Sequence, residues 1–285
     1  MAKTIAKYVV LICISVFLLF PLLYMLTNSL MSAGEVAKAY GVINGETVIP
    51  AEGPSYIRLR LIPESATLIQ YYHVLLRKPV FLMMFWNSVI VTLPIMLGQM
   101  IVAAMAAYSF SKLKFPLSGG IFFVYIIVML MPFQVTLVPN YIILKNLNLL
   151  GSYMAVILPG VFSTFGVFLL RQFMKQIPDE YCEASRIDGA GYCRTFLKVI
   201  IPQCKSALAS LAILVFIDNW NMVEQPLIFL KDETMHPLSV FLSRINETEI
   251  AIAFACGVLY MLPALLIFLY GENYFVEGIE LSGIK

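Results

Sequence analysis

Charged and apolar positions are segregated along this chain rather than interleaved. Five stretches carry no Asp, Glu, Lys or Arg: Tyr8–Gly34, Pro79–Ser111, Phe115–Leu144, Asn146–Leu170 and Ile250–Gly271. Each exceeds the roughly 20 mostly apolar residues that an α-helix needs to cross the hydrocarbon core. A sixth candidate, Ser206–Leu230, is apolar to Ile217 and then interrupted by Asp218 and Glu224. The pattern therefore predicts an all-α polytopic membrane protein with six transmembrane helices, near 8–30, 81–108, 119–142, 153–173, 206–230 and 251–274. Residues 1–30 form the first span, 31–80 a segment outside the cytoplasm, 81–275 the core with a loop at 175–205, and 276–285 a tail.

Composition agrees: 60% of the 285 residues are hydrophobic and 13% charged, against about 25% charged in soluble domains. That excludes a soluble enzyme, a disordered chain and a disulfide scaffold, and a net charge of +2 implies no nucleic-acid partner. Lys and Arg set the orientation through short loops. Lys3, Lys7, Lys112, Lys114 and the six basic residues of Arg171–Lys205 mark one side as cytoplasmic, together with both termini. The opposite short loops hold only Lys145, and Lys231 with Arg244. The first apolar run exceeds the 7–15 residues of a cleaved signal, so a retained span is expected. Segment 31–80 reads as irregular loop. A short strand or hairpin is possible over Tyr56–Ile62, and a surface helix over Ser65–Leu76 starts near Ser65 or Thr67. It is either a lid or a docking surface. Cys13, Cys182, Cys193, Cys204 and Cys256 form no CxxC pair and are expected as small apolar fillers. His73 and His236 are isolated, so no metal site is expected.

The loop between the fourth and fifth spans carries the sharpest pattern. Pro178, Asp179 and Glu180 form a helix start, because proline fits the first turn and acids there complement the helix dipole. A short helix should run to about Ile187, ended by Gly189 and Gly191, which can adopt the positive φ of a sharp exit. A second amphipathic helix should stop by Pro202.

Within it, Glu183-Ala184-Ser185, three residues, Gly189, nine residues and Val199-Ile200-Ile201-Pro202 resemble the "EAA" loop of binding-protein-dependent ABC importer permeases. Ser185, Val199 and Ile201 depart conservatively from that pattern, and Ile177-Pro178 with Arg186-Ile187-Asp188-Gly189-Ala190 is similar to its carbohydrate branch. Phe85–Val91, Trp220-Asn221 with Pro226-Leu227, His236–Leu242 (where His236 itself departs) and the tail Asn273–Lys285 resemble the smaller six-span partner of maltose-type permeases. The likeness covers about residues 60–285.

The resemblance implies a type I ABC importer permease fold in a bacterial inner membrane. It further implies a heterodimer with a second permease subunit, two ATP-binding cassette ATPases and an extracytoplasmic solute-binding protein. ATP and Mg belong to the ATPases; no Gly-x-x-x-x-Gly-Lys-Ser/Thr loop occurs here, and neither enzymatic activity nor a bound cofactor is expected. Pro178, Glu180, Glu183, Ala184, Ser185, Asp188, Gly189, Ala190 and Pro202 would form the ATPase-coupling surface, and the tail from Glu277 would also touch the ATPases.

Ionisable groups inside a span are candidate functional sites. Asp218, Asn219, Asn221 and Glu224, with Gln134 and Asn140, are the candidate solute pathway. Pairing with the partner subunit or interfacial exposure are the alternatives for the two acids. Asn87, Thr92, Gln99, Pro132 and Pro139 are weaker candidates, while Ala103, Ala104, Ala106 and Ala107 suit close helix packing. A self-sufficient secondary transporter or channel for a small polar solute would instead show internal repeats and acids in several spans. A membrane enzyme would need a catalytic constellation that no span offers.

Overall fold

The computed structural model describes residues 2–40, 60–77, 79–244 and 250–282. Every regular element among them is helical. In chain order these are α1 (Ala2–Ser29), α2 (Ala33–Tyr40), α3 (Ile69–Tyr72, continued by a π-turn to Arg77), α4 (Pro79–Lys112), α5 (Ser118–Met129) and α6 (Phe133–Asn146). Then come α7 (Met154–Val161), α8 (Thr164–Gln176), α9 (Glu180–Ile187), α10 (Tyr192–Thr195, running through a π-turn into α11, Ile201–Gln203) and α12 (Lys205–Trp220). The chain finishes with α13 (Glu224–Phe229), α14 (Leu238–Ser243) and α15 (Ile250–Ser282).

Among the described residues, four stretches are long and apolar enough to cross a membrane unbroken: Thr4–Ser29, Pro79–Lys112, Met154–Gln176 and Ile252–Tyr274. Two bent pairs, α5 with α6 at 103° and Tyr192–Gln203 with α12 at 78°, bring the number to six if each is one broken span. The expected continuous third span is therefore corrected. Leu130 ends α5, and Pro132 opens α6 with φ −57° and ψ 139°. Proline has no N–H to donate and drives the residue before it out of the helical region.

The expected fifth span to Leu230 is also corrected, because α12 stops at Trp220. Asn219 and Asn221 turn their amides onto the carbonyls of Val215 and Ile217, at 2.8 and 2.7 Å. Such side-chain-to-backbone bonds compete with helix continuation. Pro226 then sits in the first turn of α13, where no N–H is required.

The chain divides into two compact units, Met1–Phe85 with Phe241–Pro263, and Trp86–Val240 with Ala264–Lys285. In the first, most of α1 is exposed, as suits a helix lying in lipid. Its end is pinned by segment 60–77. Thr67 N–H donates to Leu30 O at 2.8 Å, the Ser29 and Tyr71 hydroxyls meet at 2.7 Å, and Glu64 N–H donates to the buried Glu35 carboxylate at 2.8 Å. The irregular reading of 31–80 is corrected by α2, and the surface helix starts at Ile69 rather than Ser65. Thr67 Oγ1 accepts the Ile69 N–H at 3.0 Å. The suggested strand falls mostly outside the described residues, and Arg60–Ile62 are irregular.

The second unit is held by close helix approach. A Cβ on Gly98 of α4 would stand 2.7 Å from Val161 Cγ2, and one on Gly160 of α7 would stand 2.9 Å from Ile95 Cγ2. Each glycine thus receives the branched side chain of the other helix. A Cβ on Gly166 of α8 would lie 3.0 Å from the Ala103 Cβ, so the alanine face of α4 packs as the sequence suggests. Replacing Gly98 or Gly160 by Leu should push α4 and α7 apart and cost about 1–3 kcal/mol. Thermal unfolding in detergent should show this loss for both variants. Gly119→Leu, where a Cβ meets nothing within 4 Å, should unfold no earlier than wild type.

Candidate functional site

Two features of the second unit carry the candidate residues. The first is the hairpin 178–203. Asp179 is the N-cap of α9, and Gly189 leaves that helix at φ +79°. Gly189 N–H donates to Arg186 O at 3.0 Å and Ala190 N–H to Ser185 O at 2.9 Å. This paired closure is the Schellman motif, and the left-handed residue it needs is the glycine. Gly191 has φ −74° and ψ 170°, so it is no second left-handed exit, as expected above, but the N-cap of α10. Pro202 does not stop the second helix either; the turn continues to Gln203 before the bend at Cys204.

Pro178, Glu180, Glu183, Ala184, Asp188, Gly189 and Pro202 are exposed, and Ala190 is half-exposed. Ser185 is the exception among the nine: it is buried, and its hydroxyl lies 2.6 Å from that of the equally buried Thr195. The hydroxyl that departs from the family pattern thus joins the two arms of the hairpin from inside. Arg186 lies 5.1 Å from the Tyr192 ring centre, tying them again outside. The outer surface also presents Tyr181, Ile187 and Leu197, with Ile187 87% exposed. Cys182 and Cys204 are buried here and Cys256 in the other unit, and burial pushes the Cys182 thiol up, as befits a filler. Cys13 and Cys193 are exposed, which corrects the filler reading for those two.

The hairpin entry holds a contact that the charge pattern along the chain does not indicate. Lys112, at the end of α4, has a side chain only 3% exposed and binds the Asp179 carboxylate at 2.7 Å. It also donates to Ile177 O. The Lys112 hydrogen bond and charge hold the Asp179 carboxyl below the usual carboxylate range.

The second feature is a pair of cavities of about 730 and 500 Å³. The larger is bounded by the α5–α6 elbow (Met129, Met131, Phe133), the α7–α8 joint (Phe162, Ser163, Thr164) and α12, and the buried Gln99 of α4 reaches it. Asp218 and Asn219 line both cavities, Asn140 the larger, and Asn221 and Glu224 the smaller. Gln134 Nε2 donates to the Glu224 carboxylate at 3.2 Å. Five of the six candidate pathway residues therefore line one or both cavities, with Glu224 beyond the end of the span on α13, and Gln134 lines neither but reaches them through its bond to Glu224.

Thr136, Ser163, Thr164 and Gln225 join the lining without a sequence signal, because neutral polar residues are ordinary in membrane helices. Asn87 and Thr92 are buried but line neither cavity. Asn87 donates to Thr234 O and His236 O at 2.7 and 3.0 Å and accepts from the Tyr153 hydroxyl at 2.8 Å. His236 is buried with its ring nitrogen 3.2 Å from Leu230 O. Among the described residues no three His, Cys, Asp or Glu side chains are gathered as metal ligands.

Residues 99–279 match the family described as binding-protein-dependent transport system inner membrane component. The chain is similar to the arabinooligosaccharides transport system permease protein AraQ of Halalkalibacterium halodurans. The two are 27% identical over 271 residues, 93% of this chain and 91% of the relative. It is also similar to the sn-glycerol-3-phosphate transport system permease protein UgpE of Yersinia enterocolitica, 32% identical over 69% of this chain and 72% of the relative. Among solved structures, a chain of a bacterial ABC transporter involved in import of the acidic polysaccharide alginate shares the fold. The TM-score is 0.79 at 22% identity, covering 96% of both chains.

Removing the Ser185 hydroxyl strands that of buried Thr195, which should loosen the hairpin by about 1–3 kcal/mol. Hydrogen exchange should therefore quicken at the amides of Ala190 and Thr195 in Ser185→Ala. The double variant Ser185→Ala with Thr195→Val, which leaves no orphaned hydroxyl, should recover most of the protection.

Proposed function

Since the chain belongs to the family of binding-protein-dependent transport system inner membrane components, we propose that it is a permease subunit of an ATP-driven carbohydrate importer. In this reading it pairs with a second permease chain, sits on two ATPases and receives solute from an external binding protein. Both termini and the 178–203 hairpin face the cytoplasm, where the Lys and Arg of the short loops concentrate.

The observation that carries the reading is the hairpin. Its helix α9 is closed at its far end by its own glycine motif, tied to its second arm from inside, and exposed over Glu180, Glu183, Ala184 and Asp188. Small residues there allow close backbone approach, and the acids can make charge-assisted hydrogen bonds. ATP-driven closure of the partner subunits acts on this helix, and the spans alternate between inward- and outward-facing states. Hydrolysis itself belongs to the ATPases.

A sugar or oligosaccharide fits the cavity. Its lining supplies the amides of Gln99, Asn140 and Asn219, the hydroxyls of Thr136, Ser163 and Thr164, and the Asp218 carboxylate. Arabinooligosaccharides, named for one relative, carry such hydroxyl-rich surfaces. Among the described residues lining either cavity there is no Lys, Arg or His, while two are acidic. That favours an uncharged sugar over an anion of the glycerol-phosphate or alginate kind.

Glu183→Lys and Gly189→Asp should insert normally but release the ATPases and abolish uptake; the second also forces a left-handed conformation on a residue with a Cβ. Co-purification of the ATPases with a tagged permease checks this, and unchanged attachment and uptake in both variants would refute the docking role. Asp218→Asn should raise the solute concentration for half-maximal uptake about tenfold, the loss of one charge-assisted hydrogen bond. Uptake titrations on whole cells read that shift, and an unchanged titration removes Asp218 from the pathway.

A further inference from the structure

Helix α4 is bonded near its start to the 234–238 turn and at its finish to the entry of the hairpin. Near its start, Asn87 donates to Thr234 O and His236 O, and Ser88 Oγ accepts the Leu238 N–H at 2.8 Å. At its finish, Lys112 binds Ile177 O and the Asp179 carboxylate, at the entry of the hairpin. Twenty-five helical steps separate Asn87 from Lys112, about 37 Å at 1.5 Å per residue, and the helix is continuous through Pro94. Between the two ends Gln99 reaches the larger cavity.

The carboxylate of Asp179 is not used in the ordinary way. Although Asp179 is the N-cap of α9, its side chain makes no bond to the helix amides; it is turned to the ammonium. Asp179 is 70% exposed at its side chain while Lys112 is 3% exposed. A buried ammonium is tolerated when it is paired and hydrogen-bonded, and its two acceptors both belong to the hairpin entry. Among the described residues, Lys114, two positions on, also acts on the Asp179 charge.

We propose that Lys112 is the positioning residue through which the hairpin drives α4, making that helix the rod that links the ATPase-facing hairpin to the 234–238 turn. The assignment rests on the proposed docking of the hairpin to ATPases. On that footing, a shift of α9 is delivered along α4 past the cavity to the opposite end. Without the ammonium the hairpin moves and α4 does not follow.

The test uses the full complex in lipid vesicles, with a Ser163→Cys reporter in the cavity and the exposed Cys13 and Cys193 replaced by serine. The probe is a membrane-impermeant methanethiosulfonate added from the side opposite the ATPases, with and without ATP and vanadate. Lys112→Met is expected to keep the ATPases bound and vanadate-trapped, yet to reduce the ATP-dependent change in labelling rate at least tenfold. Asp179→Asn should reproduce that loss, and it decides the matter should Lys112→Met fail to insert. Lys112→Arg and Lys114→Met should label as the parent does. A parent-like ATP-dependent change in Lys112→Met, or in Asp179→Asn if that variant must stand alone, overturns the proposal. So does shedding of the ATPases by the variant, which would make Lys112 part of the docking contact instead. If the parent complex itself shows no ATP-dependent change, the importer reading fails rather than the role of Lys112.

Discussion

A backbone amide or carbonyl in hydrocarbon has no water to bond, so a chain can interrupt its helices at membrane depth only where protein or a wet cavity covers the break. Much of the second unit follows from that constraint. The elbow between α5 and α6 and the joint between α7 and α8 both face the 730 Å³ cavity, through Met131, Phe133, Phe162 and Ser163. Around the elbow, Met131 N–H still reaches Val128 O and Val135 N–H reaches Pro132 O, at 3.1 and 3.0 Å. The cavity makes the broken helices tolerable, and the broken helices give the cavity its polar backbone and its shape.

Against those interrupted elements stands α4, unbroken over 34 residues. Its Gly98 receives the Val161 side chain of α7, its Ala103 lies against Gly166 of α8, and three of its polar residues meet other elements: Asn87 and Ser88 at the 234–238 turn, Lys112 at the hairpin entry. Tight packing limits how far such a helix can deform, because interiors at crystal-like density transmit displacement rather than absorb it. Gln99 of this helix borders the larger cavity, so the cavity wall and the proposed rod share one element.

What could be seen in the chain alone, and what could not, divides along the same physical line. Charge-free runs are legible because the bilayer demands them, and the hairpin because its glycine and proline spacing is local. The breaks were not. Pro21, Pro94, Pro139, Pro159 and Pro263 lie inside helices while Pro132 stands at a break and opens α6, and Pro159 borders the larger cavity without breaking α7, so the residue type alone does not decide the outcome. Asp218 and Glu224 stood out because an acid in an apolar run is costly, whereas Ser163 or Gln225 carry no such mark. Lys112 looked like one more orientation signal at the end of a span. Its partner is 67 residues away, and only the fold brings them together.

The internal tie between Ser185 and Thr195 has a consequence for the direction in which signals travel. A hairpin that holds its own shape arrives at its partner already ordered, so little conformational entropy is lost on contact. Stiffness is also indifferent to which end is pushed. In the proposed assembly, the free energy by which nucleotide occupancy biases the cavity equals that by which cavity occupancy biases the nucleotide sites. Under the proposed function, the hydroxyl pair that stiffens the hairpin serves both directions, so that solute held in the cavity shifts the affinity of the ATPases for nucleotide as much as nucleotide shifts that of the cavity for solute.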